Sequence, residues 1–333
     1  MNVRRLLVGR AAALLASAAV IACLGAPQAS RAQAWPTKTV TLVVPYSVGG
    51  TVDIVGRLLA ESLSRELKPH TVVVENRPGV GGFIGAGQVA RAAPDGHTLL
   101  VTTVTGYAMQ EQVPANKGRF NYRESLVPVS LVMEAPFVLI VGNSVPAANL
   151  KDFIAHARRN PQKLNEVTFG EGSSADFVGQ LFARLTGIET TRVPYPGFGP
   201  ALSDLVGGRV DLYFGIPPNV FALEGKAKPL VITSRARASY LPDVPASPEG
   251  GLPEFIVSNL YAISAPKGLP KNVEDAVSRA MNTVLKDPAL VKRFQQLGLD
   301  VLTGSPDEAK RRVELEYTTW SSVGAGPAEA KKP

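Results

Sequence analysis

The turn with the clearest capacity for chemistry is Gly49-Gly50-Thr51. It follows the apolar run Leu42-Val43-Val44-Pro45 and opens an amphipathic stretch. A strand, a small-residue turn and a helix N-terminus in that order make an anion seat. Glycine lets the backbone approach a ligand closely, and the first N–H groups of a helix have no intrahelical acceptor. The helix dipole adds partial positive charge at the same point. A second turn of this kind, Gly172-Ser173-Ser174, follows Glu166–Phe169 in the other half of the chain. No lysine follows the first turn as it would in a phosphate-binding loop. The two turns together favour a carboxylate held between two helix N-termini.

Other reactive side chains are read beside these turns. Asp53 falls in the first helical turn, where it either caps the helix or reaches a ligand through water. Arg57, four residues on, reads as its ion-pair partner on the helix surface. Ser173 and Ser174 are helix caps or ligand donors, and they form no G-x-S-x-G nucleophile elbow. Tyr46 and Tyr195 line a cleft or pack in a hinge, and Asp211 reads chiefly as a structural residue at a strand start. Gly85-Ala86-Gly87-Gln88-Val89-Ala90 matches G-x-G-x-x-A, but no strand leads directly into it and no acid follows about 20 residues on. His70, His97 and His156 have no metal-ligand spacing. No cofactor, no metal and no enzymatic activity are expected.

The elements that position these residues alternate. Thr39–Pro45, Thr71–Glu75 and Thr98–Thr103 read as strands, with helices over Thr51–Leu67 and Phe83–Ala92 between them. Thr105 to Ser125 reads as a long irregular region. Strands Val127–Met133 and Phe137–Val141 are separated at Pro136. Helix Leu150–Asn160 is opened by Asn149. Strand Glu166–Phe169, helix Ala175–Thr186, strand Thr191–Val193, helix Ala201–Gly207 and strand Val210–Gly215 follow. Val220–Glu224 reads as a short helix before strand Pro229–Ser234. After the connector Pro242–Pro253, Phe255–Ala265 is extended. Asn272–Leu285, Pro288–Leu297 and Asp307–Val323 are helices, and Ala325–Pro333 is expected to fray. This is an α/β pattern, and open α/β sheets bind ligands outside the carboxyl ends of their strands. Two domains are expected, with hinge crossings near Glu134–Pro136 and Ser234–Ala238.

The chain has 333 residues, 45% hydrophobic and 19% charged, with a net charge of +7. Its first 34 residues read as a secretory signal: basic Arg4, Arg5 and Arg10, apolar Ala11–Leu24, and Ala32-Gln33-Ala34 before Trp35. Cleavage after Ala34 removes four arginines and no acids, so +7 becomes +3. A competing detail is Val20-Ile21-Ala22-Cys23, which has the form of a lipid-attachment site. Cys23 is the single cysteine, so disulfides and thiol chemistry are excluded after cleavage. No run of like charge suits nucleic acid.

The order and spacing of several motifs carry a family resemblance. These are Trp35-Pro36; Val44-Pro45-Tyr46-x-x-Gly49-Gly50-x-x-Asp53-Ile54-x-x-Arg57; Val74-Glu75-Asn76-Arg77-Pro78-Gly79-x-Gly81-Gly82; and Ala93-Pro94-Asp95-Gly96-x-Thr98-Leu99-Leu100. Val193-Pro194-Tyr195-x-Gly197-x-Gly199-Pro200-Ala201, Gly207-Gly208-x-Val210-Asp211-Leu212 and Leu241-Pro242-Asp243-Val244-Pro245 complete the set. The chain resembles the receptors of tripartite tricarboxylate transporters, the Bug family, across residues 35–325. The resemblance implies a two-domain clamshell of the type II periplasmic binding protein kind, with the ligand cleft between domains. Domain 1 is expected over 35–135 plus 237–333, and domain 2 over 136–236.

The implied function is capture of a small carboxylate in the periplasm, as a monomer, for delivery to the membrane components of a tripartite transporter. A sensor that presents its closed form to a sensor kinase is the alternative; a periplasmic enzyme is a remote third. The implied ligand residues are Tyr46, Ser47, Gly49, Gly50, Thr51, Asp53 and Thr105 on one side. Phe169, Gly172, Ser173, Ser174, Tyr195, Gly199, Ala201 and Asp211 face them. Phe83, Phe169, Asp176, Gly215 and Leu260 depart from the residues usual in the family, and Glu171 adds an acid. Phe83 and Phe169 near the cleft would suit an aromatic carboxylate, with Phe169, Glu171 and Asp176 deciding which one fits.

Overall fold

The computed structural model describes residues 35–223 and 225–324, with side chains through 321. The signal segment, Cys23 and the expected frayed end 325–333 lie outside the described residues.

Strand β1 (Val40–Val44) runs into helix α1 (Thr51–Glu66), then β2 (Val72–Asn76), α2 (Phe83–Ala90) and β3 (Thr98–Thr103). The parallel order is β2-β1-β3, with Val43 opposite Glu75 on one side and Leu100 on the other. Val40, Leu42, Val43 and Val44 are all buried, so β1 is covered on both faces, as a central parallel strand must be. Gly56 lets α1 lie close to this sheet, where a Cβ would sit 3.0 Å from Val44 Cγ2.

The stretch expected to be irregular contains α3 (Val104–Gln110) and α4 (Tyr122–Ser125). Thr103 caps α3 by accepting from the Gly106 N–H, and Asn121 caps α4. Tertiary packing makes α3: Val104, Thr105, Tyr107, Ala108 and Met109 are all buried, a face too continuous to show helical periodicity over two turns.

Strand β4 (Leu126–Pro136) completes the first sheet with β10 (Ser258–Pro266) and the short β11 (Asp300–Val301). The sheet order is β11-β4-β10-β3-β1-β2. The second sheet begins just after β4 with β5 (Val138–Gly142), followed by α5 (Leu150–Arg159), β6 (Asn165–Thr168), α6 (Ser174–Thr186), β7 (Thr191–Pro194) and α7 (Phe198–Val206). Strand β8 (Leu212–Gly215), α8 (Pro217–Leu223) and β9 (Ala227–Ile232) finish it, in the order β7-β6-β8-β5-β9. The fold is therefore a mixed α/β clamshell with one sheet in each lobe.

The two crossings between sheets are tied together. Thr233 Oγ1 accepts from the Phe137 N–H at 2.8 Å, the Thr233 N–H donates to the Phe137 carbonyl at 2.8 Å, and the Val257 N–H donates to the Thr233 carbonyl at 3.1 Å. Thr233 is buried. The return crossing falls at Val257, beyond the expected Ser234–Ala238. Leu241 and Val244 still pack on the second lobe, and the Phe255 ring meets Phe182 and Phe214 there.

Helices α9 (Lys271–Leu285), α10 (Pro288–Gln296) and α11 (Pro306–Gly324) follow β10. The last lies across α3 and β4 of the first lobe. Its Trp320 meets Phe177 of α6 edge-on at 6.2 Å, which joins the lobes a third time.

Candidate functional site

Both glycine turns sit at carboxyl ends of parallel strands, one in each lobe, and they are built alike. In the first lobe the Gly49 N–H donates to Asp53 Oδ2 at 2.9 Å. In the second the Gly172 N–H donates to Asp176 Oδ2 at 3.0 Å. Both glycines have positive φ, +87° and +78°, where a side chain would be strained. Each acid is four residues on, in the first helical turn, and each is buried beneath its own loop.

A cation holds each acid. Arg57 Nη2 lies 2.9 Å from Asp53 Oδ1, and Asn76, at the end of the neighbouring parallel strand, donates to both Asp53 Oδ1 (2.9 Å) and the Tyr46 carbonyl (3.1 Å). Arg192, on the strand beside β6, lies 3.2 Å from Asp176 Oδ1, and Gln180 donates to Asp176 Oδ2 at 3.1 Å. Burial works to raise the Asp53 pKa, but hydrogen bonds from Arg57, Gly49 and Asn76 hold it below the ordinary value. Asp53 and Asp176 are thus scaffolds of the loops. Asp176, expected to help choose the ligand from within the cleft, is buried behind the turn instead, with its carboxylate fully engaged.

The helix ends differ in what they leave open. Gly50 occupies the N-cap of α1 and no side chain caps it. Its early N–H groups therefore lack side-chain acceptors, and Ser47 to Gly50 are exposed. Ser173 caps α6, with Oγ accepting from the Asp176 N–H at 3.3 Å. Ser174 follows as the first helical residue. Tyr46 is half-buried at the base of the first loop, and burial pushes its hydroxyl up to about 12.

At the carboxyl edge of the second sheet the exposed Phe169 and the half-buried Phe198 pack over Tyr213, which is itself buried in the second lobe's core. Phe169 is 38% exposed and meets Tyr213 edge-on at 5.7 Å. Phe198, at the start of α7, lies 5.7 Å from the same ring. Gly215 makes room for Tyr213, since a Cβ there would be 2.6 Å from Tyr213 Cε1. Neither Tyr213 nor Phe198 is conspicuous in the sequence, because an aromatic in a strand or a first helical turn reads as core.

Thr105, Ala201 and Phe83 have structural surroundings, and so does Asp211, as its reading as a strand-start residue expects. Thr105 is fully buried; its hydroxyl donates to Glu316 at 2.6 Å and accepts from the Leu260 N–H at 2.9 Å. Asp211 Oδ2 accepts from the Asn165 N–H at 2.7 Å, between neighbouring strands. Ala201 is buried inside α7. Phe83 is only 7% exposed and lies against Tyr107 and Phe120, both at 5.9 Å, so it belongs to the first lobe's core and not to a cleft wall. Tyr195 is half-buried, with its hydroxyl donating to Asp204 at 2.7 Å, and Gly199 is exposed in the first turn of α7.

Two lobes, each offering a glycine turn and a helix N-terminus at the strand ends, define a solute-binding protein of the periplasmic clamshell class. Residues 55–323 match the profile described as the tripartite tricarboxylate transporter family receptor. The chain belongs to that family. It is 32% identical to protein BugT of Bordetella pertussis over 91% of this chain and 93% of that one. A relative from Agrobacterium vitis is 36% identical over 87% of this chain and 85% of its own. Among solved structures, the periplasmic binding protein BugD has 34% identity and a TM-score of 0.77, over 87% of this chain and 97% of its own. An R. palustris protein solved with adipate has 32% identity and a TM-score of 0.81, over 88% and 98%. MatC from Rhodopseudomonas palustris, with bound malate, has 33% identity and a TM-score of 0.77, over 87% and 100%.

Proposed function

We propose that this protein is exported to the periplasm, cleaved after Ala34, and captures a small carboxylate between its lobes for the membrane components of a tripartite transporter. The observation that carries this reading is the uncapped N-terminus of α1 behind the exposed Ser47–Gly50 loop. One carboxylate of the ligand lies against those amides, directly or through water. Tyr46, Ser47, Gly49, Gly50 and Thr51 form the first wall. Gly172, Ser173, Ser174, Tyr195 and Gly199 form the second, with Phe169 and Phe198 beside them. That aromatic edge favours a ligand with an apolar or aromatic body. Relatives solved with adipate and malate support the carboxylate class. The lobes divide at Phe137 and Val257, and the protein acts as a monomer.

Native mass spectrometry of the purified protein identifies a ligand carried through purification. A melting screen pairs it with aliphatic and aromatic acids, including adipate, malate and phenylpropionate. The reading expects a small acid in the spectrum and a raised melting temperature with at least one acid. A spectrum without ligand and no response to any acid would refute it. A response to adipate and malate but to no aromatic acid would remove the aromatic preference alone.

A further inference from the structure

At two of the places where the lobes touch away from the hinge, a glycine makes the contact. On one side Gly172, in the second lobe's turn, faces the end of α3, where a Cβ would lie 2.5 Å from Val113 Cγ2 and 3.2 Å from Gln110 Oε1. Gln110 cannot swing away freely, because its Oε1 accepts from Asn116 Nδ2 at 2.6 Å. On the other side Gly298, between α10 and β11 of the first lobe, faces α8 of the second. A Cβ there would lie 2.7 Å from Pro217 Cβ, 2.8 Å from Phe221 Cε2 and 3.1 Å from Tyr240 Cδ2. Tyr240 packs on the second lobe and donates to Asp300 of β11 at 3.2 Å, so it bridges the lobes beside Gly298.

We propose that Gly172 and Gly298 set how far the lobes shut. Heavy atoms closer than 3.0 Å must move apart; the Pro217 ring is fixed to the backbone and cannot rotate out of the way, whereas Phe221, 36% exposed, gives way more easily. A methyl group at either position acts as a wedge, and the compliant part of the molecule is the pair of crossings at Phe137 and Val257. Gly298 lies outside both ligand loops, so a wedge there alters closure without altering any ligand contact. A ligand moves the lobes further toward the shut form only by its preference for that form, so a wedge that opposes shutting weakens the binding of every ligand. The inference rests on the proposed capture of a carboxylate between the lobes, but the distance measured without ligand tests the wedge by itself.

The experiment uses the full chain with Cys23→Ser, the single native cysteine removed. Lys68→Cys and Lys163→Cys, exposed positions in opposite lobes, carry spin labels. Pulsed dipolar distances are recorded without ligand and with adipate. Gly268→Ala is the control, because Gly268 has φ +89° and no heavy atom within 4 Å of where its Cβ would lie. It carries the backbone strain of a left-handed residue without a wedge. Gly298→Ala is expected to shift the closed population to longer distances, and to weaken the adipate response at least tenfold, while Gly268→Ala changes neither. Gly172→Ala is expected to open the lobes in the same way. Val113→Ala in the same chain is expected to restore the closed distance, because Val113 Cγ2 is the one atom inside 3.0 Å. Distances in Gly298→Ala that match Gly268→Ala, or a Gly172→Ala opening that Val113→Ala leaves unrelieved, would overturn the proposal.

Discussion

Glu166→Gln tests the energetics beneath the Gly172–Ser174 turn. Glu166 lies on β6, 1% exposed, under α6. The Thr190 hydroxyl donates to its Oε2, while Oε1 has no partner among the described residues. Gly179 of α6 lies directly over it, where a Cβ would be 1.9 Å from Oε1. The charged groups facing it are Asp176 on α6 and Arg192 on β7. Burial raises its pKa from 4.5 to about 7; Thr190 and Arg192 pull it down, and Asp176 adds to the rise. The folded protein therefore holds this proton over a pH range in which the unfolded chain has released it. Folded stability falls as pH rises from 4.5 to about 7, and the full cost is present above that window. At about 1.4 kcal/mol per pH unit the ionised carboxylate costs about 3 kcal/mol.

Chemical denaturation of both proteins at half-unit steps from about pH 4.5 to about pH 8.5 measures this cost. Groups common to both cancel in the difference. The amide cannot ionise, so the variant should gain about 3 kcal/mol on the wild type across the window. Its absolute stability at the acid end is expected to lie below wild type, because the amide N–H group meets the unpartnered side of the site. Parallel pH profiles would refute the assignment of the buried charge.

Further predictions concern the loops. Gly50 has φ −76°, and its nearest neighbour to a Cβ is the Ser47 carbonyl oxygen at 3.7 Å, so Gly50→Leu should melt like wild type yet lose any ligand-induced shift. Asp53→Ala leaves the Gly49 N–H and Arg57 without their acceptor and should destabilise by about 2 kcal/mol, with ligand response lost; urea titration and the melting screen check both. Ser173→Ala removes the α6 cap and should cost about 1 kcal/mol in the same titration. Phe169→Ala should weaken phenylpropionate more than adipate in calorimetry, because it removes an exposed ring from the edge formed with Tyr213.

Local sequence was sufficient where one residue type has one physical use. Gly49 and Gly172 stand where the chain takes a left-handed turn before a helix, and that requirement is visible in the residues themselves. The Asp53–Arg57 pair follows from helix spacing, and the alternation of apolar runs with amphipathic stretches marks nearly every element. Asn149 caps its helix as its type and position predict. What the sequence could not supply was the far partner of each side chain. Asp176 resembles a residue at the mouth of a site until Arg192, Gln180 and the Gly172 N–H are brought to it by three separate segments. Phe83 has the same composition-level meaning as Phe169, yet one is enclosed by Tyr107 and Phe120 and the other is exposed beside Tyr213. Thr105 meets Leu260 and Glu316, distant in the chain. The sequence alone thus determined the two turns, because backbone conformation and helix ends are local properties. Tertiary structure alone decided which acids support those turns, which rings stand exposed at the strand ends and where the lobes meet, because burial and hydrogen-bond partnership depend on segments that approach only when the chain is folded.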